Sequence, residues 1–471
     1  MPETCRYRLS CFIKNSNGCF NGKIFGYPVY KTDLLGYTFR VCPINHLVFQ
    51  NGLESSHPGG VGNIARPLSC ASDSRLGGRM KRASVVVFCT FFMILLFSAS
   101  LVHAGGFALY EWSTRGVAMA TTGYAQAGDA SIIATNPALM TKLEGKNALA
   151  GFTLVTPQAS VYLDGDKNKT KANTYTVPHA YYTQQMESNE NVWLGVGVFT
   201  RFGLGTSYDE DWIGKSSLQH VEVQSVSVNP NIAFKFSDKL SVAVGVEILR
   251  GTFDMQRFVG SEITFKTEGY GVGGNIGVTY DINDELTAGF TWRAPMRLYT
   301  SGSADYDFAG IHSDDGQEIS ATLPGSYTLG LAYKPNKDWI IEGDVIHTRW
   351  ESTDKITYGG TIESETALHY KNAWRFQLGA EYWAKEWLAL RAGYAYDQTP
   401  TRSGDASFML PVNDRQLFST GLGFKLNNWN IDWSFMYVVA KERHGIDIEA
   451  WDVDFQDGRT WVSGLSVGYS F

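Results

Sequence analysis

The chemistry open to this chain is limited first by the placing of its cysteines. All six lie at or before Cys89 (Cys5, Cys11, Cys19, Cys42, Cys70 and Cys89), so the 382 residues beyond it, 471 minus 89, carry no thiol nucleophile, thiolate ligand or disulfide. No His-Glu-x-x-His pair occurs, and Gly464-Leu465-Ser466-Val467-Gly468 lies within the alternating C-terminal run and makes no strand-to-helix elbow. The histidines His179, His220, His312, His347, His369 and His444 are scattered, without the short spacings that place two imidazoles on one metal. What remains are charges set singly into apolar runs, Arg293, Arg375, Arg391, Glu342 and Asp344. Such groups, turned into an enclosed space, pair with one another more readily than they do chemistry on a substrate. The expectation is a protein that is not an enzyme and uses no cofactor or metal.

The runs that carry these charges alternate with a period of two. In 240–249, Leu240, Val242, Val244, Val246 and Ile248 share one face, with Ser241, Ala243, Gly245 and Glu247 on the other. In 374–383, Trp374, Phe376, Leu378, Ala380 and Tyr382 oppose Arg375, Gln377, Gly379 and Glu381, and 431–439 repeats the pattern with Ile431, Trp433, Phe435, Tyr437 and Val439. One face of each run suits lipid and the other a polar lumen. About fourteen such runs begin near Asn147, Thr174, Asn191, Val221, Lys239, Glu268, Asp284, Ser320, Asp338, Tyr370, Glu386, Asn413, Asn428 and Asp457, and the even number suits a bacterial single-chain barrel.

Their connections alternate in length. Short polar turns (188–190, 237–238, 281–283, 335–337, Lys385, Asn427) are separated by long segments (164–173, 206–220, 255–267, 299–319, 352–369, 400–412, 441–456). Short turns on one side of a membrane and long loops on the other are an outer-membrane arrangement. The chain closes on Trp461, Leu465, Val467, Tyr469 and Phe471 along one face, which looks like the C-terminal strand that such proteins offer to their assembly machinery. Trp339, Trp350, Trp383, Trp387 and Trp429 near strand ends suit interfacial girdles.

Composition agrees. Aromatic residues make up 14% of the chain and there are 49 glycines. Mean hydropathy is −0.16, too low for a helical membrane protein. The net charge of −7 gives no reason to expect nucleic acid. Near the N-terminus, the apolar run 83–101 comes after Met80-Lys81-Arg82 and precedes Val102-His103-Ala104, the layout of a secretory signal peptide. The division expected is an untranslated or mis-assigned leader (1–79) with Met80 as the start, a signal peptide (80–104), a compact segment (105–146) and a transmembrane barrel (147–471).

The compact segment is rich in Gly, Ala and Thr and has no strand period. It opens Gly105-Gly106-Phe107-Ala108-Leu109-Tyr110-Glu111 and later reads Ala130-Ser131-Ile132-Ile133-Ala134-Thr135-Asn136-Pro137-Ala138-Leu139-Met140. A Gly-Phe start, a Gly/Ala-rich middle and an Asn136-Pro137-Ala138 step in this order, directly before a barrel, resemble the N-terminal hatch of the FadL family. The resemblance runs on more loosely through Gln256-Arg257-Phe258 and Lys371-Asn372-Ala373-Trp374-Arg375, and covers none of 1–79. It implies an all-β fold, a transmembrane antiparallel barrel of about fourteen strands with a hatch (plug) in its lumen. It further implies an outer-membrane uptake protein for hydrophobic ligands, most readily long-chain fatty acids and alternatively aromatic hydrocarbons. A structural or general diffusion porin is the reading outside that class.

The family's third strand is kinked to open a side exit, and the matching stretch here contains Phe202-Gly203-Leu204-Gly205. Two glycines two apart weaken a ladder and favour a bulge, and they are expected to supply unusual backbone angles there. Arg257, with Phe258 next to it, matches an arginine that the family places near a bound carboxylate, a task suited to a guanidinium. The family's companion lysine has no counterpart, the place falling near Thr366. The partners expected are therefore the hydrophobic ligand, outer-membrane lipid with its lipopolysaccharide, and the assembly machinery, with the protein itself monomeric.

Overall fold

The computed structural model describes residues 106–308, 311–313, 316–360, 363–411 and 413–471. The expected leader and signal peptide, and Gly105 of the hatch motif, lie outside these residues.

Alternation along the sequence becomes alternation across a wall. On the strand Leu240–Val259, the side chains of Ser241, Ala243 and Glu247 are buried inside while Val244, Val246 and Ile248 stand outside. On Ala373–Lys385, Arg375, Gln377 and Glu381 turn in and Trp374 and Tyr382 turn out. Every strand pairs antiparallel to its neighbours, and Lys146–Leu163 pairs with the last strand, Trp451–Ser470, from Asn147↔Ser470 to Leu163↔Val453. That pairing closes a 14-strand barrel, and closure removes the unpaired edges that a bilayer cannot satisfy. The exposed Trp339, Trp387 and Trp429 stand on the outside as girdle residues do. Trp350 does not: it is 1% exposed and packs inward, so its place in the girdle is corrected.

The long segments between strands are mostly not loops. Residues 255–267 read as a loop, yet Leu240–Val259 and Ser261–Asn283 pair all the way to Val259↔Ser261 about Gly260, whose φ of 72° only glycine adopts freely. Residues 352–369 contain the hairpin Lys355–Gly360 with Ser364–Ala367, and 441–456 contain Arg443–Ile448 paired with the start of the last strand. The barrel thus rises well past the expected strand ends, with apolar side chains such as Phe253, Met255, Phe265 and Phe455 turned inside.

Residues 106–145 lie inside this ring, and the first strand begins at Lys146, one residue earlier than expected. The segment has one helical turn at Thr114–Ala118, capped by the Ser113 hydroxyl on the Gly116 N–H, and another at Ile132–Thr135. The Asn136-Pro137-Ala138 step starts a short 3-10 helix, Pro137–Lys142. The Asn136 side-chain oxygen accepts from Ala138 N–H, and Pro137 sits at the first position, where no N–H is needed. The Asn136 amide nitrogen also donates to Tyr124 O (2.7 Å) and to Val278 O on the wall (3.0 Å), so the motif ties the segment to the barrel.

Charged lumen groups hold it further. One oxygen of Glu342 accepts the backbone N–H groups of Gly123 (3.2 Å), Tyr124 (2.6 Å) and Ala125 (2.7 Å). Arg115 donates twice to Glu381, at 2.8 and 3.0 Å, and Arg391 joins Glu381 to Asp432. Small wall residues admit the segment's backbone: a Cβ on Gly289 would fall 1.9 Å from Tyr124 O.

Candidate functional site

The wall is irregular at one place. The strand Asn189–Phe199 pairs with His220–Lys235 as far as Phe199↔Ser227, and pairing resumes with Leu204–Ser207 at Leu204↔Val223. Five steps on one side answer four on the other, which is a bulge. Residues Thr200 to Gly203 leave the ladder and turn inward. Phe202 is 2% exposed, packed 5.9 Å from Phe107 with the Arg201 guanidinium 4.9 Å from its ring.

The backbone groups released by the bulge are satisfied from inside. Leu109 N–H donates to Arg201 O at 2.8 Å and Gly203 N–H donates to Phe107 O at 3.0 Å, so the start of the N-terminal segment meets the bulge in a single antiparallel bridge, Ala108↔Phe202. Phe202 N–H donates to the Ser225 hydroxyl oxygen (3.1 Å), and that hydroxyl donates to Phe202 O (2.7 Å). Unpaired backbone at membrane depth is tolerated only where protein or water meets it, and here protein does.

Neither Gly203 nor Gly205 has a left-handed φ, so the expectation that they supply unusual backbone angles is corrected. Their use is room. A Cβ on Gly203 would lie 2.8 Å from Leu109 Cδ1, and one on Gly205 would lie 2.1 Å from the Tyr175 ring.

On the far side of the bulge, the strand Tyr175–Met186 pairs with Asn189–Phe199 only up to Ala180↔Val198. Its outer residues, from Tyr175 to His179, pair with Lys146–Leu163 and have no partner across the bulge. A cavity of about 380 Å³ fills this space. Inside the barrel it is bordered by Phe107, Leu109, Val155, Leu417 and Val462. Across the wall its border includes Thr176, Pro178, Gln224 and Val226, positions that alternate to the outer face. It therefore reaches from the lumen to the lipid side between two strands that do not pair.

The polar rim of the cavity is charge-balanced. Asp397 accepts from Arg375 (3.0 Å) and Arg415 (2.5 Å), both of which border the cavity, as does Glu111. Behind the bulge, Glu247 joins Arg201 and Arg293, each at 3.0 Å. Sequence reasoning did not single out Arg201, Glu247, Arg415 or Tyr175. A signal existed for Glu247, the one carboxylate on the inward face of its run. For Tyr175 none did, since its role depends on a strand to which it is not paired.

The positions expected from the sequence separate into three places. Gly106, Phe107, Gly203 and Gly205 border the cavity, Phe202 packs beside it, and the backbone of Leu204 restarts the ladder. Asn136, Pro137 and Ala138 sit against the inner wall away from it. Arg257 and Phe258 stand at the outer hairpin, where Arg257 pairs in register with Ile263 and Lys215 Nζ lies 5.0 Å from the Phe258 ring. Among the described residues, the Arg257 Nε has no hydrogen-bond partner. The structure does not bring Arg257 to the cavity.

A family model described as outer membrane protein transport protein (OMPP1/FadL/TodX) matches residues 95–471. The chain is 23% identical over 427 residues to the long-chain fatty acid transport protein of Escherichia coli O6:H1, across 78% of this chain and 95% of that one. It is 25% identical over 421 residues to outer membrane protein P1 of Haemophilus influenzae, across 74% and 90%. Among solved structures, a Pseudomonas aeruginosa FadL homologue is similar with a TM-score of 0.71 at 18% identity, covering 78% of this chain and 100% of that one. The P. putida toluene transporter TodX is similar at 0.63 and 16%, covering 77% and 99%. At these identities the likeness to solved structures speaks for the fold alone.

Proposed function

Because the chain belongs to the outer membrane protein transport family (OMPP1/FadL/TodX), we propose that it carries hydrophobic small molecules, long-chain fatty acids foremost, into the outer membrane through the cavity at the bulge. The class is fixed by the family: an outer-membrane transporter of hydrophobic compounds. The finer reading is that residues 106–145 act as the hatch, that ligand rests against Phe107 and Leu109, and that it leaves sideways into lipid past Thr176, Pro178, Gln224 and Val226.

The observation that carries this reading is the continuity of the cavity from apolar lumen to outer face. An acyl chain gains on the order of 0.8 kcal/mol per CH₂ by staying out of water, which favours release into lipid over release into the periplasm. Fatty acids are favoured by Arg375 and Arg415 on the cavity rim, where a carboxylate can meet a guanidinium. Aromatic hydrocarbons are favoured by the balance of those cations against Asp397 and Glu111, and by Thr366 where the family has a lysine. Arg257 is proposed as an outer contact for a carboxylate before the cavity is reached.

Uptake of labelled oleate and of labelled toluene by cells with and without the protein tests both. Faster oleate uptake, with fatty acid found by mass spectrometry in the purified protein, is expected. Uptake of toluene alone would move the substrate to the hydrocarbon class.

A further inference from the structure

Between the N-terminal segment and the wall, polar side chains gather that no protein group meets. Among the described residues, the hydroxyls of Thr114, Thr153, Ser434 and Ser466 and both ring nitrogens of His179 have no hydrogen-bond partner. None of these five residues is more than 3% exposed. Thr114 opens the helical turn Thr114–Ala118, and the others face inward from the strands Lys146–Leu163, Tyr175–Met186, Trp429–Ala440 and Trp451–Ser470. Strand pairing sets them in two adjacent rows, Thr153↔Gly464↔Ser434 and His179↔Gly151↔Ser466. The glycine in each row opens the room between them. A Cβ on Gly464 would lie 2.8 Å from Ser434 Oγ and 3.2 Å from both Thr114 Oγ1 and Thr153 Oγ1, so three hydroxyls converge on one point. A Cβ on Gly151 would lie 2.6 Å from both His179 Nε2 and Ser466 Cβ.

These rows adjoin the ligand cavity on the side of the short turns. Val155, Val177 and Val462 border the cavity, and Thr153, His179 and Gly464 are the next inward positions on the same three strands. Elsewhere the segment meets the wall by direct bonds, Arg115 to Glu381 and the N–H groups of Gly123, Tyr124 and Ala125 to Glu342. At the two rows it does not. None of the five side chains is a carboxylate, guanidinium or ammonium that would hold an ion of opposite charge. Each hydroxyl both donates and accepts, and a neutral imidazole does one at each nitrogen, which is the mixture that water satisfies. A buried water makes about three hydrogen bonds to groups that would otherwise go unpaired, and the hydroxyls meeting at Gly464 supply them.

We infer that Thr114, Thr153, His179, Ser434 and Ser466 bind a layer of ordered waters between residues 106–145 and the wall, and that this layer is the floor of the ligand cavity. An apolar molecule resting on Val155, Val177 and Val462 goes no further along the seam, because it would displace waters whose hydrogen bonds it cannot replace. The water layer thus turns hydrophobic ligand away from the short-turn end of the barrel without any side chain blocking the path. The barrier role rests on the transport reading above; the water site itself does not.

Crystals of the purified protein, with solvent resolved and pressurised with xenon, read the site directly, since xenon enters dry apolar space and not a filled polar one. Ordered waters bonded to all five side chains are expected, with xenon in the cavity beside Val155 and Val462 and none in the seam. Xenon seated among the five side chains, or an ion refined there, would overturn the site. A dried variant, Thr114→Val, Thr153→Val, His179→Leu, Ser434→Ala and Ser466→Ala, is expected to lose the waters and take xenon at the seam, with heat-modifiable gel migration confirming the folded barrel. If it does not fold, Thr153→Val with Ser434→Ala is expected to lose the waters at Gly464 and keep those at His179, and waters unchanged at Gly464 would overturn the site. The barrier is read from labelled oleate reaching a fatty-acid-binding protein exported to the periplasm. A several-fold faster arrival with the dried variant is expected, and arrival at the native rate would overturn the barrier while leaving the transport reading intact. No oleate or toluene uptake by the native protein, relative to cells without it, would overturn the transport reading and the barrier with it, and the crystals would still decide the water site.

Discussion

Arg257 and Asp414 show how differently single charged residues are placed on this barrel. Arg257 was legible only through resemblance, and the structure sets it at the outer hairpin with Nε unpartnered among the described residues. If it meets a carboxylate there, Arg257→Ala weakens fatty acid binding by about 1.5–3 kcal/mol, the scale of a hydrogen bond to a charged group, and leaves hydrocarbon binding unchanged. Isothermal titration with oleate and with toluene separates these, and equal losses would make Arg257 a packing residue. Asp414 lies outside the strands. Burial pushes its carboxyl up to about 6, against the opposing pull of the Tyr396 hydroxyl, Lys441, Lys371 and Arg443. A carboxyl whose folded pKa lies above its unfolded value of about 3.9 contributes stability that is complete below the unfolded value and is lost as pH rises through the folded one. The native barrel is therefore expected to lose stability from this group between about pH 4 and pH 6. Asp414→Asn should flatten that slope in thermal unfolding monitored by gel shift, and an unchanged slope would assign it to another group. Nothing in the spacing of the sequence marks Asp414, because the Tyr396 hydroxyl that meets it comes from another strand.

At the scale of elements, the strands were readable because each has lipid on one side and a polar interior on the other, which writes a period of two into Leu240–Val259 and Ala373–Lys385. The outer hairpins were misread as loops for the same reason in reverse. Towards the outer hairpin, Gln256 and Glu262 alternate to the outward side, and that side of the pattern is polar and irregular even though Phe253, Met255 and Phe265 still turn inside. The N-terminal segment was recognised by its motif, but its fastenings were not. Glu342 appeared as a partner for a lumen cation, whereas its carboxylate receives the N–H groups of Gly123, Tyr124 and Ala125. Glu342→Ala strands those donors, each bond to the charged oxygen being worth roughly 1.5–3 kcal/mol. The barrel should still form, since its ladders are untouched, and planar-bilayer recordings should show openings absent from the native protein. Recordings indistinguishable from the native ones would mean that Asn136, Arg115 and the wall contacts hold the segment without Glu342.

For the whole molecule, a closed ring of this size passes small solutes unless something occupies it, and the proposal gives that task to residues 106–145, which bond to the wall groups Glu381 and Glu342. Intact protein in planar bilayers is accordingly expected to show no wide, steady, ohmic pore, and such a pore would favour a general diffusion porin. The position of the bulge was legible as two glycines in Phe202-Gly203-Leu204-Gly205. Its mechanism was not, because what matters is the space that Tyr175 and Leu109 take from the absent side chains, and neither neighbour is near in sequence. Transport by this protein turns on whether substrate crosses the wall there. Gly203→Val with Gly205→Val would drive the Leu109 and Tyr175 side chains into the cavity, filling the passage while leaving the barrel ladders as they are. The deciding measurement is the initial rate of labelled oleate uptake by cells carrying this double variant at native surface levels and with native heat-modifiable migration. Passage through the wall predicts a fall to the rate of cells lacking the protein, and a native rate would contradict an exit at this bulge.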